Sequence, residues 1–379
     1  MGPRSRSLET GSARPMPSQS RRSATLVVLV AAALTACVGS PSPIASEDPI
    51  ASPTARATAS PTAAPTQIPT GWRELIASGS APAPREDHTW TVDADGDVAY
   101  LFGGRDVTGP GSYGDLWAYD LSADTWQQLS GGPPARFGHN AAWVPSIGLV
   151  IFAGQDQAFF NDLWAYDSVA NSWQQLPGNG DRPVARYGSC AAVGPDGRLW
   201  ISHGFTSEGS RFADTRAYDF ATGAWSDETP TGAAPIERCL HACWWTDGGQ
   251  FTLYAGQTNG VTSLGDRWEL MVGPRPGTNA WLELDQDGSP PAARNLYAAA
   301  RWELGTLIFG GQALDGTYLD DAWLLSDDGR HAQVAPGVAG PSPRSGAELV
   351  ADPGRGRVLL FGGKAGASVF GDLWELTLP

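Results

Sequence analysis

The chain has a single lysine, Lys364, among 25 basic residues, and it is short of histidine (five), cysteine (four) and methionine (three). No apolar run is long enough to span a bilayer. The longest, Ala24 to Ala36, has 13 residues, where a helix needs about 20. No Walker loop and no Gly-x-Ser-x-Gly occurs, which removes the usual phosphate cradle and nucleophile elbow. Net positive charge is confined to the start. Residues 1–36 hold five arginines against one glutamate and residues 37–70 one arginine against two acids, so of the net −15 the remaining body carries −18. A body that acidic repels polyphosphate and excludes nucleic acid as a partner.

What is abundant is 47 Gly, 30 Pro and 16 Trp. That mixture favours short strands joined by tight turns over helices. The N-terminal part reads differently. Arg21 and Arg22 precede the apolar run, as in an export signal, and the run ends in Leu34-Thr35-Ala36-Cys37. These four residues resemble the bacterial lipoprotein box, which implies lipidation of Cys37 after removal of residues 1–36. The start lies at Met1 or Met16, and the sequence does not separate Sec from Tat export. Residues 37–70 are rich in Pro, Ser, Thr and Ala without apolar periodicity. They bury too little to offset ordering entropy, so we expect a disordered tether.

Residues 71–379 repeat. A Pro-rich loop ends in arginine at Arg85, Arg136, Arg186, Arg238, Arg294 and Arg344, at spacings of 51, 50, 52, 56 and 50. Two strands follow, the second ending in Gly103-Gly104 or its counterparts. A variable loop then leads to an Asp and a third strand, as in Asp115-Leu-Trp117, and a fourth strand opens near Trp126, Trp173, Trp225 and Trp281. Six such copies resemble the kelch repeat, and the Arg-x-x-His openings resemble its galactose-oxidase-type subclass. The resemblance implies an all-β, six-bladed propeller. The sixth copy stops after its third strand, while Gly71-Trp72-Arg-Glu-Leu75 matches Trp126-Gln-Gln-Leu129. We therefore expect the N-terminal strand to complete the last blade and close the ring, which hides the open sheet edge. Copies three (Arg216 in place of the third-strand Trp) and five (no Trp in the fourth strand) depart from the pattern.

Six internal copies allow a comparison: what recurs serves the scaffold, and what varies is free to serve function. The six Asp, the six Arg and an apolar residue two before each Asp recur. Phe159 has no counterpart and is a candidate exposed residue. The kelch resemblance puts the arginines near the central channel, on the face that carries the ligand in such proteins. Two roles stay open for them: pairing with the recurring Asp, or binding an anion or carboxylate at the channel mouth. The residue after each Arg varies (Glu86, Phe137, Tyr187, Cys239, Asn295, Ser345) and would set specificity there. His88, His139 and His241 hold a repeat position filled elsewhere by Ser189, Tyr297 and Ala347, so we assign them a structural role and predict no metal and no cofactor. Asp93-Ala-Asp95-Gly-Asp97 lacks the downstream Glu of a calcium loop and reads as a hairpin turn. Cys190 on copy three can face Cys239 or Cys243 on copy four, and we place the pair at Cys190–Cys239.

These readings make the chain an exported, lipid-anchored monomer that presents a kelch propeller to an extracellular protein or carbohydrate. The resemblance also admits a sugar-modifying enzyme, since galactose oxidase and a sialic-acid mutarotase share this architecture. In the mutarotase-like case Arg85 or Arg136 would hold a carboxylate and Glu86 would act as acid–base group.

Overall fold

The computed structural model describes residues 67, 68 and 71–378, apart from 110, 276, 287 and 335–338. Cys37, the signal segment and most of the tether lie outside them. Among the described residues no helix is long and apolar enough to cross a membrane.

The described residues form six antiparallel blades, each in the order its sequence copy dictates. Blade one is Thr89–Val92, Val98–Phe102, Leu116–Asp120 and Thr125–Gln128. Its second strand is apolar at nearly every position because both of its faces are covered by neighbouring blades. Blade six is Ser345–Asp352, Arg357–Ala365 and Leu373–Thr377, closed by Gly71–Leu75 with Trp72 opposite Leu376 and Glu74 opposite Trp374. The expected closure by the N-terminal strand is therefore present. Two short parallel strands add a fifth strand to other blades: Gln67–Ile68 beside His331–Val334 in blade five, and Asn179–Gly180 beside Ala224–Asp227 in blade three.

The apolar core is not a single mass on the axis. It is divided into six clusters, each shared by two adjacent blades. Trp90, Leu101 and Trp126 of blade one, for example, pack on Val350, Leu359 and Phe361 of blade six. Each Trp buried in such a seam removes roughly 150–250 Å² from water, worth roughly 4–6 kcal/mol before ordering entropy. The departures in copies three and five have physical explanations. Arg216 takes over the donor role of the missing Trp, with Nε 3.2 Å from Asp214. In blade five His331 lies edge-on to Trp323 at 5.9 Å where other blades place a fourth-strand Trp.

Candidate ligand-binding site at the channel mouth

The six arginines form six copies of one clamp. Arg85 is fully buried, and its Nη1 and Nη2 donate to both oxygens of Asp115 at 2.7 and 2.9 Å. Nη1 also donates to the Gly103 carbonyl and Nε to that of Ala83. Trp117 Nε1 donates to the same Asp115 at 2.7 Å. Arg136, Arg186, Arg238, Arg294 and Arg344 repeat these contacts with Asp162, Asp214, Asp266, Asp321 and Asp372. Burial pushes the Asp115 carboxyl up, but the bonds from Arg85 outweigh it and hold the group below its ordinary range. No guanidinium of the six reaches solvent, so none is presented to a ligand. The Asp-pairing role is the one the geometry realises.

Two positions past each Arg the backbone turns left-handed, and the six blades join there. Asp87 N donates to Gly346 O, Gly138 N to Asp87 O, Gly188 N to Gly138 O, Leu240 N to Gly188 O, Leu296 N to Leu240 O, and Gly346 N to Leu296 O, at 2.8–3.1 Å. This closed ring is the neck of the channel. Glycine suits it at three sites. Asp87 (φ 53), Leu240 (φ 58) and Leu296 (φ 52) adopt the same conformation with side chains, at a cost of order 1–3 kcal/mol each.

Above the neck the residue after each Arg pairs with the residue after each diglycine: Glu86 with Arg105, Phe137 with Gln155, Tyr187 with Phe205, Cys239 with Gln257, Asn295 with Gln312, and Ser345 with Lys364. The first column was expected at the mouth. The structure buries five of its six members, leaving only Tyr187 half-exposed. Asn295, for instance, is 2 % exposed and donates to Ser263. The cause is register, because antiparallel pairing places the second column over the first. The half-buried second column is what lines the mouth.

This column is charged and asymmetric. Glu86 Oε1 accepts from Arg105 Nε at 3.0 Å and from Lys364 Nζ at 2.8 Å. Asp87 Oδ2 accepts from Arg105 and from the Tyr187 hydroxyl. Burial, then the neighbouring Asp87, raises the Glu86 carboxyl. On the opposite side Arg211 donates only to the amide oxygens of Gln257 and Asn259. Its guanidinium lies over Phe205, which packs against half-buried Phe159. Sequence reasoning placed specificity in the residue after each Arg and missed Arg105, Lys364 and Arg211. The comparison across copies, applied to the residue after each diglycine (Arg105, Gln155, Phe205, Gln257, Gln312, Lys364), contains the signal for Arg105 and Lys364 but not for Arg211.

Residues 69–251 and 225–379 match the model of the KLHDC2/KLHL20/DRC7 Kelch-repeats domain. The chain belongs to the kelch-repeat family. Curated kelch relatives include Adagio protein 3 of Arabidopsis thaliana, 27 % identical over 81 % of this chain and 52 % of the relative. Another is acyl-CoA-binding domain-containing protein 4 of the same plant, 29 % identical over 53 % of this chain and 30 % of the relative. The chain thus spans about half the length of the first, and less of the second. The solved structure of YjhT superimposes with a TM-score of 0.61 at 18 % identity, over 77 % of this chain and 95 % of YjhT. That likeness concerns the fold.

The remaining predicted residues of this kelch propeller have defined places. His88, His139 and His241 are buried in three different seams: His88 against Phe361, His139 against Phe102 and His241 against His203. Burial pushes all three down, His139 to about 3, so they are neutral. Among the described residues no group of three or more His, Cys, Asp or Glu could hold a metal. Asp93 Oδ1 accepts from the amides of Asp97 and Val98, closing a turn. The disulfide joins Cys190 to Cys243, with Cα atoms 5.6 Å apart, and not to Cys239. Cys190 and Cys243 face each other across the seam of blades three and four. Cys239 precedes the Ala242–Trp245 strand, on the other side of the left-handed turn at Leu240, as a buried free thiol bridged to Gln257.

Proposed function

We propose that this chain is an exported, lipid-anchored kelch propeller that binds an extracellular protein or glycan at its channel mouth. The lipoprotein-box resemblance at Cys37 and the Pro/Ser/Thr-rich tether support the exported, anchored part. The observation that carries the binding part is the column Arg105, Gln155, Phe205, Gln257, Gln312 and Lys364. It is half-exposed in every blade and varies among them, with Gln in three blades and Arg, Phe or Lys in the others, while the Arg–Asp pairing of the neighbouring clamp is the same in all six. A mouth with polar amides, aromatic faces and the carboxylate-free Arg211 suits the hydroxyls of a glycan or the polar rim of a protein epitope. The arginines required by the mutarotase-like alternative are all held in clamps.

The test is site-specific photocrosslinking in intact cells. A photoreactive residue at Gln155 or Gln257 should give a discrete adduct, while one at Asp196, in a first-hairpin turn, should not. Equal labelling from both positions, or none from the mouth combined with no binding to an envelope-glycan array, removes the reading. Palmitate incorporation that disappears in Cys37→Ala tests the anchor.

A further inference from the structure

At and below the neck the channel holds a cavity of about 100 Å³. Its lining includes Asp87, His88, His241, Leu240, Leu296 and Glu348. Several of these side chains are buried yet carry polar atoms without a partner. Asp87 is 6 % exposed with Oδ1 unbonded, and both ring nitrogens of His88 (1 % exposed) and of His241 (8 % exposed) are unbonded. Asp87 Oδ1 lies where any side chain at Gly346 would sit, 2.7 Å from a Cβ placed there. Buried polar atoms without partners are uncommon and call for an explanation.

Glu348 has no equivalent in the other blades, which carry Thr89, Asn140, Cys190, Ala242 and Ala298 at that position. In blades one and two this residue bonds the side chain three past the next blade's Arg: Thr89 with His139 at 2.9 Å, and Asn140 with Ser189 at 2.7 Å. Glu348 has no such bond, and its carboxyl borders the cavity. The titratable groups around it are Asp87 and His88 of blade one, Tyr297 of blade five, Tyr187 at the neck, and His139 and His241 across the channel. The three histidines are neutral, Tyr187 and Tyr297 are held protonated by burial, and Arg105 is bonded to Asp87 by its other oxygen. No cation in that lining offsets Glu348.

We propose that this channel binds a primary alkylammonium group between Asp87 and Glu348. An ammonium brings three donors and no acceptor, which matches the unbonded Asp87 Oδ1, the Glu348 carboxyl and the one acceptor nitrogen that each neutral imidazole offers. Leu240 and Leu296 favour an alkyl chain over a hydrated inorganic ion. Both are held at the neck in a left-handed backbone where the other blades use glycine or Asp87. A body at −18 draws a cation toward the channel. Burial first, then Asp87, raises the Glu348 carboxyl to about 8. Near pH 7 it holds a proton that a bound ammonium would expel. Binding should therefore release close to one proton and tighten as pH rises from 7 toward 9.

The experiment is calorimetry of the full chain with n-butylamine as probe, at constant ionic strength, in two buffers of different ionisation enthalpy. Saturable binding with proton release is expected. Glu348→Gln should abolish the release and weaken binding about tenfold, equivalent to about 1.4 kcal/mol. Asp87→Asn should also weaken it, with thermal unfolding confirming that both variants fold. No saturable binding, undiminished binding in Glu348→Gln, or stoichiometric displacement by potassium overturns the proposal. Crosslinking from Gln155 reports on the outer ligand separately, so either reading can fail alone.

Discussion

Lys364, the chain's single lysine, donates to Glu86 Oε1 at 2.8 Å across the seam between the last blade and the first, 278 residues apart in sequence. The neck bond from Asp87 N to Gly346 O and the pairing of Gly71–Leu75 with Leu373–Thr377 cross or complete the same closure. The ring is thus fastened at three radii: the mouth, the neck and the outer edge of blade six.

Replacing Lys364 by Met should leave the fully buried Glu86 with Arg105 as its one cation. A buried charge that loses part of its compensation costs of order 1–3 kcal/mol. Thermal unfolding should show a lower midpoint, and Lys364→Arg should recover part of it. An unchanged midpoint in Lys364→Met would mean the bond is worth no more than an exposed pair.

Deleting residues 67–76 should destabilise the whole domain, because it uncovers the Leu373–Thr377 edge and removes Trp72 from Phe309, 5.2 Å away. The expected loss is several kcal/mol, with roughly 4–6 from one Trp seam. A truncated chain that unfolds at the parent temperature refutes the closure.

The clamps predict acid sensitivity. Burial raises each clamp Asp, and its Arg more than compensates, so the folded-state values lie below the ordinary one. Groups of that kind contribute stability that is complete above about pH 4 and is lost as pH falls through the folded values. Arg136→Met, which strands Asp162, should cost about 3–5 kcal/mol. Chemical denaturation between pH 2 and 6 should show a shallower acid limb in Asp115→Asn than in the parent.

Glu348 predicts the opposite slope. Its folded value near 8 lies above its ordinary 4.5, so its contribution is complete below about pH 4.5 and is lost as pH rises through 8. Glu348→Gln should flatten the decline in unfolding midpoint over that window. A parallel decline in variant and parent would contradict the burial of this carboxyl.

Reduction, or Cys243→Ala, removes a link closing a 53-residue separation and should cost about 4 kcal/mol on the loop-entropy relation. Thiol counting on unreduced, denatured protein carrying Cys37→Ala should find one free thiol, that of Cys239.

The sequence by itself determined the architecture. Repetition at about fifty residues is a one-dimensional property, and the six Arg, six Asp, the diglycines and the tryptophans are read directly from it, as is the displaced fourth strand at Trp72. Even the Arg–Asp pairing was legible as one of two roles. What the tertiary structure decided concerns side chains that meet across blades. Arg105 and Lys364 are equivalent in the repeat and distant in the chain, yet only circular closure brings both to Glu86. Cys190 could face either partner by strand alternation, and the left-handed turn at Leu240, which leaves Cys239 outside the first strand, selected Cys243. The Asp87–Glu348 channel is invisible to periodicity, because its members occupy different columns of the repeat and converge only where six blades leave a gap on the axis.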